Sequence, residues 1–106
     1  MTLTKVTRLS ISDGLGNLVS VKRGDKVELL TAEERVAIGR DKDLESAKEE
    51  IDSTKEFLQA TGPYEISWMG IWPCGTKMLY FKMDQGGEPG TYARDFKKYN
   101  SEPSHQ

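Results

Sequence analysis

The sequence predicts an α+β domain: a mostly antiparallel sheet, made of an N-terminal meander and a central aromatic hairpin, with one main helix and a short C-terminal helix. Three observations lead there. Tyr64 to Met83, YEISWMGIWPCGTKMLYFKM, is the most apolar part of the chain and reads as two strands around a tight loop. Short alternating segments separated by glycine-containing turns fill residues 5–30. A single long stretch, Asp41 to Thr61, carries helical periodicity.

Taken in order, Lys5 to Ser12 alternates with Thr7, Leu9 and Ile11 on one face and Val6 off phase, as a half-buried strand does. Asp13-Gly14-Leu15-Gly16-Asn17 is turn chemistry. Leu18 to Lys22 and Lys26 to Leu30 follow as strands, with Val19, Val21, Val27 and Leu29 inward. The segment VSVKRGDKVELL, residues 19–30, resembles the diverging turn of small β-barrels such as SH3-like domains. The resemblance is carried by this segment alone and implies nothing about function.

Thr31 and Glu34 have the spacing of a capping box. The residues after them admit two readings: a helical turn to Ile38 stopped at Gly39, or a strand over Arg35 to Gly39. The main helix, Asp41 to Thr61, has Leu44, Ala47, Ile51 and Leu58 on one stripe with Phe57 beside it. Its outer face is acidic, with seven acids against three bases, and Gly62-Pro63 ends it. A charged outer face is what a surface helix normally shows, so an acidic docking surface is the lesser reading.

In the hairpin, alternation puts Tyr64, Ile66 and Trp68 on one face and Leu79, Phe81 and Met83 on one face of the second arm. Trp68 is therefore expected in the core. Gly70 signals a bulge or a close backbone approach. Both faces carry apolar groups, so a sheet covered on both sides is the expected reading, and a face left open for a partner is the alternative. Asp84 to Gly90 is a loop. Thr91 then caps a short helix whose Tyr92, Phe96 and Tyr99 fall at i, i+4 and i+7.

The 106 residues make one domain, expected over residues 1–99, with 100–106 as a flexible tail. All nine aromatics lie at Phe57 or later, so the N-terminal half must draw core volume from the C-terminal half. The formal charge of −2 gives neither a basic nucleic-acid footprint nor a strongly acidic chain. One cysteine, no signal-like start and no membrane-length apolar run point to a cytoplasmic protein.

No catalytic set assembles. Cys74 lacks a base, because the one histidine, His105, lies in the expected tail, and a Cys–His metal cluster fails for the same reason. The glycine-rich stretch Gln85 to Thr91 ahead of a helix invites comparison with phosphate cradles, but it has no Walker Lys-Thr pair, and Glu88 would repel a phosphate. The expectation is thus a small non-enzymatic binding protein acting through protein–protein interaction, without cofactor or metal. An accessory or inhibitor protein of a phage or mobile element fits this profile. The partner is a protein or a second copy in a homodimer, with Trp72, Tyr80, Tyr92 and Phe96 as binding residues. The alternative is a nucleotide or single-stranded nucleic-acid module using the aromatic C-terminal half.

Overall fold

Tyr64 to Met83 forms the hairpin that its apolar run predicts, and the rest of the chain is arranged around it. The computed structural model describes residues 2–99; the expected tail and His105 lie outside them. The strands are β1 (Thr4–Val6), β2 (Arg8–Ser12), β3 (Leu18–Lys22), β4 (Lys26–Leu29), β5 (Tyr64–Ile71), β6 (Lys77–Lys82), β7 (Gly90–Tyr92) and β8 (Phe96–Lys98). The helices are α1 (Ala32–Ala37) and α2 (Leu44–Leu58), and one 3-10 turn, Ala93–Asp95, separates β7 from β8. The chain is an α+β domain with one main and one short helix, and no helix is long and apolar enough to cross a membrane.

The sheet order is β3-β2-β8-β4-β5-β6-β7, with β1 beside β5. Every pairing is antiparallel except the parallel contact of β2 with β8 at Ser12 and Lys97. One edge of β5 is shared: β4 takes Tyr64 and Glu65, and β1 takes Met69 to Ile71. The segment from β7 to β8 bonds β6 with its first part and β4 with its second. The sheet therefore curls around its core, and Leu9, Ile11 and Val21 from one end pack with Met69, Leu79 and Phe81 from the middle.

The N-terminal meander is corrected. β2 and β3 form the expected hairpin, but β4 does not pair with β3. The turn between them bonds elsewhere: Gly24 N–H donates to the Ile66 carbonyl, and Ile66 N–H donates to the Asp25 carbonyl, each at 2.9 Å. Those bonds pull β4 onto β5, so the two strands diverge. The single strand expected over Lys5 to Ser12 is likewise divided at Thr7, next to off-phase Val6, and its first part crosses to β5.

Of the two readings of Arg35 to Gly39, the helix is the one formed. Thr31 caps α1, its hydroxyl accepting from Glu34 N–H at 3.1 Å while the Glu34 carboxylate accepts from Thr31 N–H at 2.8 Å. α2 is shorter than the 41–61 expected. Asp43 caps it by accepting from Ser46 N–H, and it ends at Gln59 in the left-handed region, φ 56°, ahead of Gly62. Its buried residues are Ala47 and Leu58; Leu44 of the expected stripe, and Phe57 beside it, are exposed.

The C-terminal helix shrinks to the 3-10 turn. Local periodicity lost to pairing with β4, where Leu29 faces Phe96 and Val27 faces Lys98, extended by Leu30 N–H to the Asp95 carbonyl and Tyr99 N–H to the Lys26 carbonyl. Phe96 then enters the core, with Tyr64 edge-on at 5.8 Å and Phe81 at 5.1 Å between ring centres.

A buried ionic cluster ties α1 to this turn. The Arg35 side chain, 1% exposed, donates to Asp41 and Asp95, and Arg40 also donates to Asp95. Removing one partner from such a cluster strands a buried charge, so it holds the helix in one place.

Candidate functional site: an uncovered aromatic face

The face of the hairpin that points away from the core is set by one extra residue. Ile66 faces Phe81 and Trp68 faces Tyr80, so Ser67 between them has no counterpart in the ladder. This is a bulge, and it reverses which side chains point inward beyond it. Tyr64 and Ile66 are buried before it and Met69 after it. Trp68, expected in the core, emerges on the outer face and is only half-buried. The bulge lies at Ser67 and not at Gly70. The other role foreseen for Gly70, a close approach, is the one it plays, for a Cβ there would lie 2.7 Å from the Leu3 side chain.

The outer face is built in rows across β1, β5, β6 and β7. In one row the Trp68 and Tyr80 rings stack face to face, 3.8 Å between centres and 2° between planes. The Tyr80 ring continues over Gly90, where a Cβ would come within 2.1 Å of it. The Lys5 ammonium sits 4.9 Å from the Trp68 ring centre, a cation–π contact on the solvent side. In the next row Lys5 pairs with Gly70, Gly70 with Met78, and Met78 with Tyr92. Tyr92 is 45% exposed, with the Arg94 guanidinium 5.0 Å from its ring centre. Two residues past Gly70, alternation brings Trp72 to the same side, half-buried, its N–H donating to the Thr76 carbonyl.

Neither helix is seated on this face. α1 and α2 contact each other, α1 reaches β8 and the 3-10 turn through its ion pairs, and α2 enters the core through Leu58 on the opposite side. The sheet, expected from the sequence to be covered on both sides, has a helix on one side only among the described residues, and the segment expected as a short C-terminal helix is instead the 3-10 turn and β8. Charge around the aromatics is mixed: Glu65 faces Lys82 across the strands, and Ser67 donates to the Glu88 carboxylate.

Of the four expected binding residues, the fold brings Trp72, Tyr80 and Tyr92 onto this face. Phe96 is corrected: at 0% exposure it is a core residue. Trp68 was expected in the core, with a binding role only under the nucleic-acid alternative, and Lys5 and Leu3 were not anticipated. Locating the bulge would have revealed Trp68, but nothing in the local sequence places an unpaired residue at Ser67. The cysteine and the glycine-rich loop do not converge here. Cys74 is a free, exposed thiol in the β5–β6 turn, lowered below its ordinary value by the Thr76 hydroxyl 3.2 Å away. The glycine-rich loop leads into β7, so no helix N-terminus follows it. Among the described residues no three His, Cys, Asp or Glu side chains group as a metal site. Comparison with family models, with curated proteins and with solved structures finds no match to the chain.

Proposed function

We propose that this chain is a non-enzymatic binding protein that acts through protein–protein contact. The observation that carries the reading is the uncovered face on which Trp68, Trp72, Tyr80 and Tyr92 stand together beside Met78. Aromatic side chains dominate binding energy at protein interfaces, and contiguous apolar surface on a sheet is normally closed by something. The flanking Lys5, Arg94, Glu65 and Lys82 supply the polar rim such an interface has. A second copy of the chain or another protein would serve; a stable contact would bury on the order of 1,200–2,000 Å² in total. An accessory or inhibitor protein of a phage or mobile element, working in the cytoplasm, remains the setting this profile fits.

Affinity capture from the native host tests the reading, run with the unaltered chain and with Trp72→Asp and Tyr92→Asp, alongside light scattering at micromolar concentration. The expected result is a protein partner or a dimer that both variants lose at unchanged melting temperature. Identical recovery by the variants overturns it. A second reading, binding of nucleotides or single-stranded nucleic acid, draws on the Trp68–Tyr80 stack with Lys5 above it. Retention on a phosphate resin that falls steeply with salt would favour it.

A further inference from the structure

A groove on the other side of the β5–β6 turn has a different composition from the aromatic face. It encloses about 490 Å³, within the range of small-molecule sites. Four parts of the chain meet in it: the β2–β3 hairpin, the end of α1, the β5–β6 turn, and the 3-10 turn with Tyr92 before it. Its apolar wall includes Leu18 at 69% exposure, Ile38 at 49% and Tyr92, three large hydrophobic side chains left open to solvent, and they converge on this one groove. Its charged side chains are Lys77 and Arg94, and no carboxylate lines it.

Both cations stand without an ion pair among the described residues. Lys77 is nonetheless fixed in place. Its ammonium donates to the Ser10 carbonyl at 3.1 Å, which ties the β5–β6 turn to β2 and leaves two of its three donors for another acceptor. Arg94 is held against the Tyr92 ring, and its planar fork suits a carboxylate. An apolar wall beside two positioned, unneutralised cations matches one kind of molecule.

We propose that this groove binds a small organic anion with an apolar body, of the medium-chain carboxylate type. The carboxylate lies between Lys77 and Arg94, and the apolar part lies along Leu18, Ile38 and Tyr92. The proposal does not rest on the protein-binding reading; the two surfaces share Tyr92 and, at the rim of the aromatic face, Arg94.

Cys74 lines the groove, is free, and is the chain's one cysteine, so it reports occupancy. The test is the rate of Cys74 alkylation by iodoacetamide, an uncharged reagent, read by intact mass with decanoate or decanol as the probe. Decanoate is expected to slow alkylation saturably, and decanol at equal concentration to leave the rate unchanged. Lys77→Gln and Arg94→Gln are each expected to raise the half-protecting decanoate concentration about tenfold, the loss of one hydrogen bond to a charged group. Absence of saturable protection by decanoate, or equal protection by decanol, overturns the proposal. So does unchanged decanoate affinity in both variants at unchanged melting temperature. The contrast between decanoate and decanol uses the unaltered chain and decides the matter even where a variant fails to fold.

Discussion

Gly90 is where a missing side chain does the most for the surface. The Tyr80 ring occupies the space a Cβ would take, and that position sets the ring parallel to Trp68. Gly90→Ala must push the ring away from a contact of 2.1 Å. Overpacking of this kind costs about 1–3 kcal/mol. The expected outcome is a destabilisation of about 1–3 kcal/mol in urea denaturation, with a changed near-ultraviolet circular dichroism signal from the displaced rings. At this scale the sequence is a partial guide. Glycine at position 70 announces a close approach, and Leu3 makes it. The side on which Trp68 falls depends on the unpaired Ser67, and serine in a strand carries no signal for a bulge.

Elements held by neighbours in sequence were legible, and elements held by distant partners were not. α1 is the first kind. Its cap requires only Thr31 and Glu34, three positions apart, so the spacing reveals the cap, while so short a segment left a helix and a strand over Arg35 to Gly39 both open. The 3-10 turn and β8 are the second kind. Tyr92, Phe96 and Tyr99 have helical spacing, but ladder bonds from β4 and the Arg35–Asp95 pair across 60 positions claim the segment. The divergence of β3 and β4 has the same origin, in bonds from the turn to Ile66.

Glu34 gives the element scale its test, because it serves both the α1 cap and an ion pair with Lys97 at 2.9 Å. Burial opposes its charge, but hydrogen bonds from Thr31 N–H and the Lys97 ammonium outweigh that and hold the carboxyl below its ordinary value of 4.5. A carboxylate whose folded value is depressed adds stability that is fully present above the unfolded value and is lost as pH falls through the folded one. Stability is therefore expected to fall as pH drops below 4.5, with Asp13 and Asp25, also lowered, adding to the loss. Glu34→Gln removes one of these contributions. Its urea midpoint should fall less than that of the unaltered chain over the same acid range. Parallel slopes for the two proteins would assign no such role to Glu34.

At the scale of the whole molecule, one arrangement accounts for the aromatic face. The N-terminal half has no aromatic residue, so its strands fill the inner core with Leu9, Ile11, Val21 and Val27 against rings supplied by β5, β6 and β8. With Phe96 taken inward and α2 engaged through Leu58, no helix among the described residues remains for the outer side of the hairpin. Both tryptophans of the chain, Trp68 and Trp72, stand there. The surplus of aromatic surface was visible in the sequence, where a face left open for a partner stood as the alternative to a sheet covered on both sides. Which rings remain outside was visible for Trp72, Tyr80 and Tyr92, whose faces the bulge or the helix–strand exchange did not move inward, and not for Phe96 and Trp68.

Because both tryptophans lie on that one face, their fluorescence tests the central claim most directly. Acrylamide quenching is measured on the free protein at concentrations where light scattering shows a monomer, then with rising protein concentration or with the captured partner added. The account predicts that Trp68 and Trp72 are both reached by the quencher in the monomer and that quenching falls as the partner or second copy binds. Two tryptophans already shielded in the dilute monomer, with no change on adding either, would mean that the chain closes this face itself and would contradict the account.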